Sequence, residues 1–244
     1  MDANQQLAAA FEDVIANFND SPGMRRFRNG NINKAHYAAL LREVYFYTRE
    51  NPQLQAGATL YFQGRQRELV RDFLRHATSE IGHDQLALND IAALGFSTDG
   101  ITQGRPLPST LALTAFAYYQ ITGKNAVGYL GYLYFLEFMP VRSGADYISG
   151  LTKLEVPIEA TSFLQDHSVI DVGHSQAMTK YAAALTTSQR DIDDVIYAMR
   201  VTGELYSTFV QRTLESIDAQ GKPGVSYGID LPETTANPEV MATA

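Results

Sequence analysis

Apolar residues recur at three- and four-residue intervals from the first residues to about Gln220, and no apolar/polar alternation persists beyond a few residues. That periodicity supplies helix faces and leaves no segment for a sheet, so the expected fold class is all-α. The Asn19-Asp-Ser-Pro-Gly23 run breaks a first helix of about 3–18, and Asn33 offers a cap to a second, which runs through HYAALLREVYFYTRE until Asn51-Pro52 stops it. A third helix is expected as one unbroken rod from Gln66 to Gly95, where glycine suits a helix end. Further helices follow at about 109–122, 125–151, 157–184 and 187–219. Seven helices with short links predict a seven-helix bundle, a single domain over residues 1–221. Residues 222–244, rich in Pro, Gly and small polar residues, read as an extended C-terminal tail.

Composition narrows the chemistry. The chain of 244 residues is 45% hydrophobic, enough for a substantial helical core, and has a formal net charge of -8. An acidic surface is a poor partner for phosphates, so no nucleic acid is expected. With no cysteine, disulfides, thiolate zinc sites, iron–sulfur clusters and Cys nucleophiles are excluded, and a metal must be held by nitrogen and oxygen. The opening MDANQQLAAAFEDVIANF lacks the basic start of a signal peptide, and no apolar run approaches the roughly 20 residues that span a bilayer. A cytoplasmic protein with no membrane association is expected.

Four segments concentrate metal-ligand chemistry. On the sixth expected helix, His167, Asp171 and His174 fall within roughly 60° of one another at 100° per residue. Two imidazoles about a carboxylate suit a non-haem iron or manganese ion, with a hydrated polar face as the competing reading. Glu80-Ile-Gly-His83 places a carboxylate and an imidazole three residues apart, a spacing used by carboxylate-bridged di-metal proteins; His76, one turn earlier, reads as a supporting partner or a buried structural histidine. Glu137 is the only charged residue between Lys124 and Arg142, and a carboxylate in such an apolar helix needs a metal, a cation such as Arg142, or a proton. Glu43, within LLREVYFYTRE, is preferred to Glu50 as a fourth carboxylate, against an ordinary solvated glutamate beside Arg42. Four carboxylates neutralise two divalent ions, which argues for two metals held by Glu43, Glu80, His83, Glu137, His167, Asp171 and His174.

This ordered set resembles the haem-oxygenase-like diiron oxidases, relatives of TenA and PqqC proteins that share the haem oxygenase fold. The resemblance runs over about residues 30–185: a lone Glu (Glu43), an E-x-x-H pair (Glu80, His83), a second lone Glu (Glu137), then H-x-x-x-D-x-x-H (His167, Asp171, His174). The run EIGHDQLALNDIAALG also resembles the family's helix with its closing Asp-x-x-x-Leu-Gly. The resemblance implies a non-haem diiron oxidoreductase with two Fe (Fe/Mn as the alternative) and O2 as co-substrate. It implies a small organic substrate such as a fatty acid, amino acid or amine, and a homodimer is the expected assembly. Oxidation of one of the chain's own tyrosines falls within the family's range. Tyr132, Phe135 and Arg142 are the expected substrate-binding residues, with Tyr118, Tyr119, Tyr129, Phe138 and Lys153 as further candidates. TenA-type thiaminase chemistry is not implied, because it needs a cysteine. Two other readings stay open: a haem-binding protein, and a metal-free binding protein, on the same fold.

Overall fold

The computed structural model describes residues 1–220, apart from the side chains at 169–172 and 175. Among these residues no β-strand forms, as expected, but ten α-helices are present where seven were expected. Helix α1 (Ala3–Asn19) opens on a capping box in which Asp2 accepts from Gln5 N–H and the Gln5 side chain accepts from Asp2 N–H. Pro22 does break the chain after α1, yet it also starts a short α2 (Pro22–Arg28), because a first-turn proline forfeits no intrahelical bond. Helix α3 (Lys34–Thr48) begins at Asn33 as expected. Pro52 repeats the behaviour of Pro22 by opening α4 (Asn51–Ala58).

The rod expected over Gln66–Gly95 is two helices, α5 (Arg67–Ser79) and α6 (His83–Ala93). Gly82 separates them with φ of 98°, in the left-handed region, and no atom lies within 4 Å of where its Cβ would stand. Glycine is therefore required there by the backbone turn and not by crowding. Helices α7 (Pro108–Gly123), α8 (Tyr129–Lys153), α9 (Ser162–Leu185) and α10 (Gln189–Asp218) match the later expectations to within a few residues. The tail expected at 222–244 lies outside the described residues.

Helix α8 runs through the middle, between α9 and α10, and α10 also backs α1, α3 and α7. Gly131 makes the α8–α10 crossing close: a Cβ there would stand 2.2 Å from the Val195 carbonyl oxygen. Below this crossing Phe18 meets Phe135 edge-on at 5.8 Å and Tyr206 at 5.5 Å, knitting α1, α8 and α10.

Two buried carboxylates fix helix starts. Asp90 accepts from Ser162 N–H (2.9 Å) and Phe163 N–H (3.0 Å), which anchors the first turn of α9 one turn before His167. Glu43 accepts from Leu107 N–H at 2.8 Å and from the Thr110 hydroxyl, so it holds the beginning of α7. No helix among the described residues is long and apolar enough to cross a membrane.

Candidate metal centre

The α5–α6 junction faces α8 and α9, and there the imidazoles and carboxylates collect. His76 and Glu80 lie one turn apart on the same side of α5, Glu137 projects from α8, and His174 from α9. Their donor atoms lie within 4.8 Å of one another. A second group, Glu80, His83 and His167, meets the same criterion. Glu80 belongs to both, and its two oxygens divide between them. Oε1 lies 3.5 Å from His174 Nδ1 and 3.8 Å from His76 Nε2, while Oε2 lies 3.4 Å from His83 Nδ1. Glu137 spans the first group, with Oε1 3.0 Å from His76 Nε2 and Oε2 3.0 Å from His174 Nδ1. The imidazoles pair accordingly, His76 with His174 at 4.1 Å between ring centroids and His83 with His167 at 4.9 Å.

These separations fit metal coordination. Two donors about 2.1 Å from one ion stand about 3.0 Å apart at a right angle and about 3.4 Å apart at the tetrahedral angle. The donor pairs at 3.0 and 3.4 Å fall in that range, and those from Glu80 Oε1 to His174 and His76, at 3.5 and 3.8 Å, lie just beyond it. His76 Nε2 is buried and makes no well-directed hydrogen bond despite its 3.0 Å approach to Glu137, as expected of a nitrogen whose lone pair serves an ion. The His167 Nδ1 lies 2.8 Å from the Phe163 carbonyl oxygen, which only accepts, so Nδ1 carries the proton and Nε2 the lone pair. Burial lowers the His167 pKa, against the opposing pull of that carbonyl and of Glu80, and favours the neutral, ligating form. Burial works to raise the Glu137 pKa, but the hydrogen bond from His174 and the nearby charges of His76 and His174 outweigh it and hold the carboxylate ionised.

The structure thus brings together Glu80, His83, Glu137, His167 and His174 of the expected ligands. It adds His76, which the sequence reading had given a supporting or structural role. Its spacing to Glu80, four residues on one helix face, was the available signal. Glu43 is not part of the group: its carboxylate is fully buried against Arg42, Thr110 and Leu107 N–H. The carboxylate in an apolar helix is explained there by a cation and a helix N-terminus. Glu50 is likewise elsewhere, with Arg49 and the Tyr118 hydroxyl. The Asp171 side chain lies outside the described residues. Among the described residues two carboxylates, not four, reach the site, so charge balance alone does not call for two ions; Glu80 faces both groups.

A cavity of about 110 Å³ adjoins the site, with Glu80, Glu137 and His167 in its wall and Leu40, Leu41, Val44 and Phe209 among its apolar lining. The expected substrate-binding residues do not line it. Tyr132 is fully buried and donates to Asn51 Oδ1, Phe135 packs on Phe18 and Tyr206, and Arg142 is exposed, 3.6 Å from Glu12. Nor do Tyr118, Tyr119, Tyr129, Phe138 or Lys153 contribute to its wall. An aromatic stripe at helical spacing has here served the core.

A family model described as iron-containing redox enzyme matches residues 38–207, a span that includes His76, Glu80, His83, Glu137, His167 and His174. This chain belongs to the iron-containing redox enzyme family. No curated protein matches it. Among solved structures, a Shewanella denitrificans OS217 protein, described as a domain of unknown function with a haem oxygenase-like fold, is 26% identical. The match covers 93% of this chain and 97% of that one, with a TM-score of 0.77. A TenA homologue from Pseudomonas syringae pv. tomato DC3000 is 14% identical over 88% of this chain and 96% of its own, with a TM-score of 0.71. A TenA homologue from P. horikoshii OT3 is 10% identical over 88% and 99%, with a TM-score of 0.69. The fold of this family member is therefore the haem oxygenase-like, TenA-like all-α fold.

Proposed function

We propose that this iron-containing redox enzyme is a non-haem diiron oxidase or oxygenase that activates O2 against a small organic substrate held in the adjoining cavity. The observation that carries the reading is Glu80, whose two oxygens face two separate donor groups, the placement of a carboxylate shared by two ions. His76, His174 and Glu137 would hold one metal and His83 and His167 the other. An iron pair supplies, when bound, the electrons that reduce O2 and the oxidising power turned on the substrate. Fe/Mn is the alternative pairing.

The rest is done by the chain. The Phe163 carbonyl fixes the His167 tautomer, and Asp90 fixes the turn of α9 that carries both residues. Glu137 stays ionised and neutralises part of the metal charge. The apolar lining excludes bulk water from the reacting position and orients the substrate beside Glu80 and Glu137.

Metal analysis after anaerobic reconstitution with Fe(II) tests the reading. About two irons per chain are expected, followed by O2 uptake in the presence of substrate. Less than a tenth of that iron content would defeat it, and a Soret band on adding haem to iron-free protein would transfer the site to haem.

A further inference from the structure

The cavity has a polar group at each end of an apolar wall. On α3, Tyr37, Leu40, Leu41, Val44 and Thr48 all line it, and their spacing places them on one helix face over three turns, about 16 Å. The hydroxyls of Tyr37 and Thr48, the first and last of this stripe, are buried (4% and 1% exposed) and have no hydrogen-bond partner among the described residues. Other hydroxyls of the cavity are satisfied: Tyr147 donates to Asn19 Oδ1 at 2.7 Å, and Tyr47 and Tyr206 lie 3.0 Å apart, oxygen to oxygen. Buried hydroxyls left unpaired carry an uncompensated desolvation penalty, so their presence on a ligand-sized cavity points to a partner brought by the ligand.

The two ends are not equivalent. Next to Thr48, Asn51 lines the cavity and α4 carries Gln55 to within 3.4 Å of His76 Nδ1, so this end adjoins the metal-binding group. Tyr37 sits where α3 meets the far end of α6. Burial, assisted by the charge of Asp90, keeps its hydroxyl protonated and therefore a donor. Asp90 is seven residues from His83, about 10 Å along α6. Among the described residues no Lys or Arg lines the cavity, and Glu80 and Glu137 are the only acidic residues in its wall.

We propose that the substrate carries a neutral hydrogen-bond acceptor, such as a hydroxyl or carbonyl, at the end of its apolar body remote from the reacting end, and that Tyr37 donates to it. An anionic group there would find no cation among the described lining residues and would face Asp90. Which end reacts rests on the diiron reading, but the discrimination itself belongs to the cavity.

Calorimetric titration of the iron-reconstituted protein with decanoate and with ω-hydroxydecanoate tests this. The hydroxy-terminated probe should bind roughly three- to tenfold more tightly, the range of one buried hydrogen bond. Tyr37→Phe should erase that preference by weakening the hydroxy-terminated probe alone. Because this change removes only an unpaired hydroxyl, the variant should melt no lower than wild type. Equal affinities in wild type, a preference that survives Tyr37→Phe, or failure of both probes to bind would each overturn the inference. Iron content measured in the same samples separates the two ideas. Full iron without the preference removes the role of Tyr37 and leaves the metal centre standing. A preference retained without iron does the reverse.

Discussion

Glu80 is the residue at which the two-ion arrangement is most exposed to test. Its Oε1 faces the His76, Glu137 and His174 side and its Oε2 the His83 and His167 side, so on the proposed arrangement Glu80→Gln would remove an anionic donor from both ions at once. His83→Ala, in contrast, strips a donor from one side only. Even groups that merely support a ligand are worth 10- to 100-fold in metal affinity, so losing the ligand itself should raise the affected dissociation constants further, by about 1,000-fold or more. Iron held at about 100 times the wild-type dissociation constant stabilises the folded chain by about 2.7 kcal/mol per site. At roughly 2–4 °C per kcal/mol for a chain of this size, each filled site raises Tm by about 5–10 °C. Differential scanning calorimetry with and without Fe(II), alongside iron analysis, should therefore show a graded series. Wild type binds about two irons with the full shift, His83→Ala about one with half of it, and Glu80→Gln almost none. If Glu80→Gln keeps both irons, or if His83→Ala empties the site as completely as Glu80→Gln does, the carboxylate is not shared between two ions.

Three further outcomes follow from particular contacts. The Glu137 carboxyl is pulled below its ordinary 4.5, so in metal-free protein it adds stability above that pH and loses it as the pH falls towards about 2. The urea midpoints of wild type and Glu137→Gln should accordingly converge as the pH falls from about 5 to about 2, and a constant gap would count against the ionised pair. Gly82→Ala should lower stability by about 1–2 kcal/mol through backbone strain alone, and Gly82→Asn by less, since asparagine tolerates the left-handed region; equal melting of all three proteins would contradict the turn. Glu43→Gln leaves Arg42 without its buried counter-charge and should cost about 3 kcal/mol in chemical denaturation while iron content stays at the wild-type level. A parallel loss of iron would return Glu43 to the metal site.

The helical class was legible because burial on one side of a rod imposes its period on the sequence, and α8, α9 and α10 emerged close to their expected bounds. What escaped was local: Pro22 and Pro52 stop one helix and start the next, and Gly82 divides a run whose apolar spacing continues on both sides. The site followed the same pattern. Glu137 and His174 stood out because a lone acid in an apolar helix and an imidazole on a shared stripe each need a partner. His76 was undervalued because one imidazole on an amphipathic helix carries little weight until Glu80, a turn away, is known to face inward. Glu43 misled for a physical reason. Its satisfaction comes from Arg42 beside it and from the start of α7, more than sixty residues along the chain, and no local pattern announces such a contact. Tyr132 and Phe135 likewise show that aromatic spacing reports a buried face without saying whether protein or ligand covers it.

The break at Gly82 means that Glu80 and His83 are carried by different rigid rods. An ion gripped by both would fasten α5 to α6 and, through His167, to α9, while a neighbour held by His76, Glu137 and His174 would fasten α5 to α8 and α9. The binding energy of the pair would then be cohesion among four helices. Removing it should loosen that corner of the bundle first, a change visible as faster amide exchange around residues 76–83 long before the remainder of the core responds.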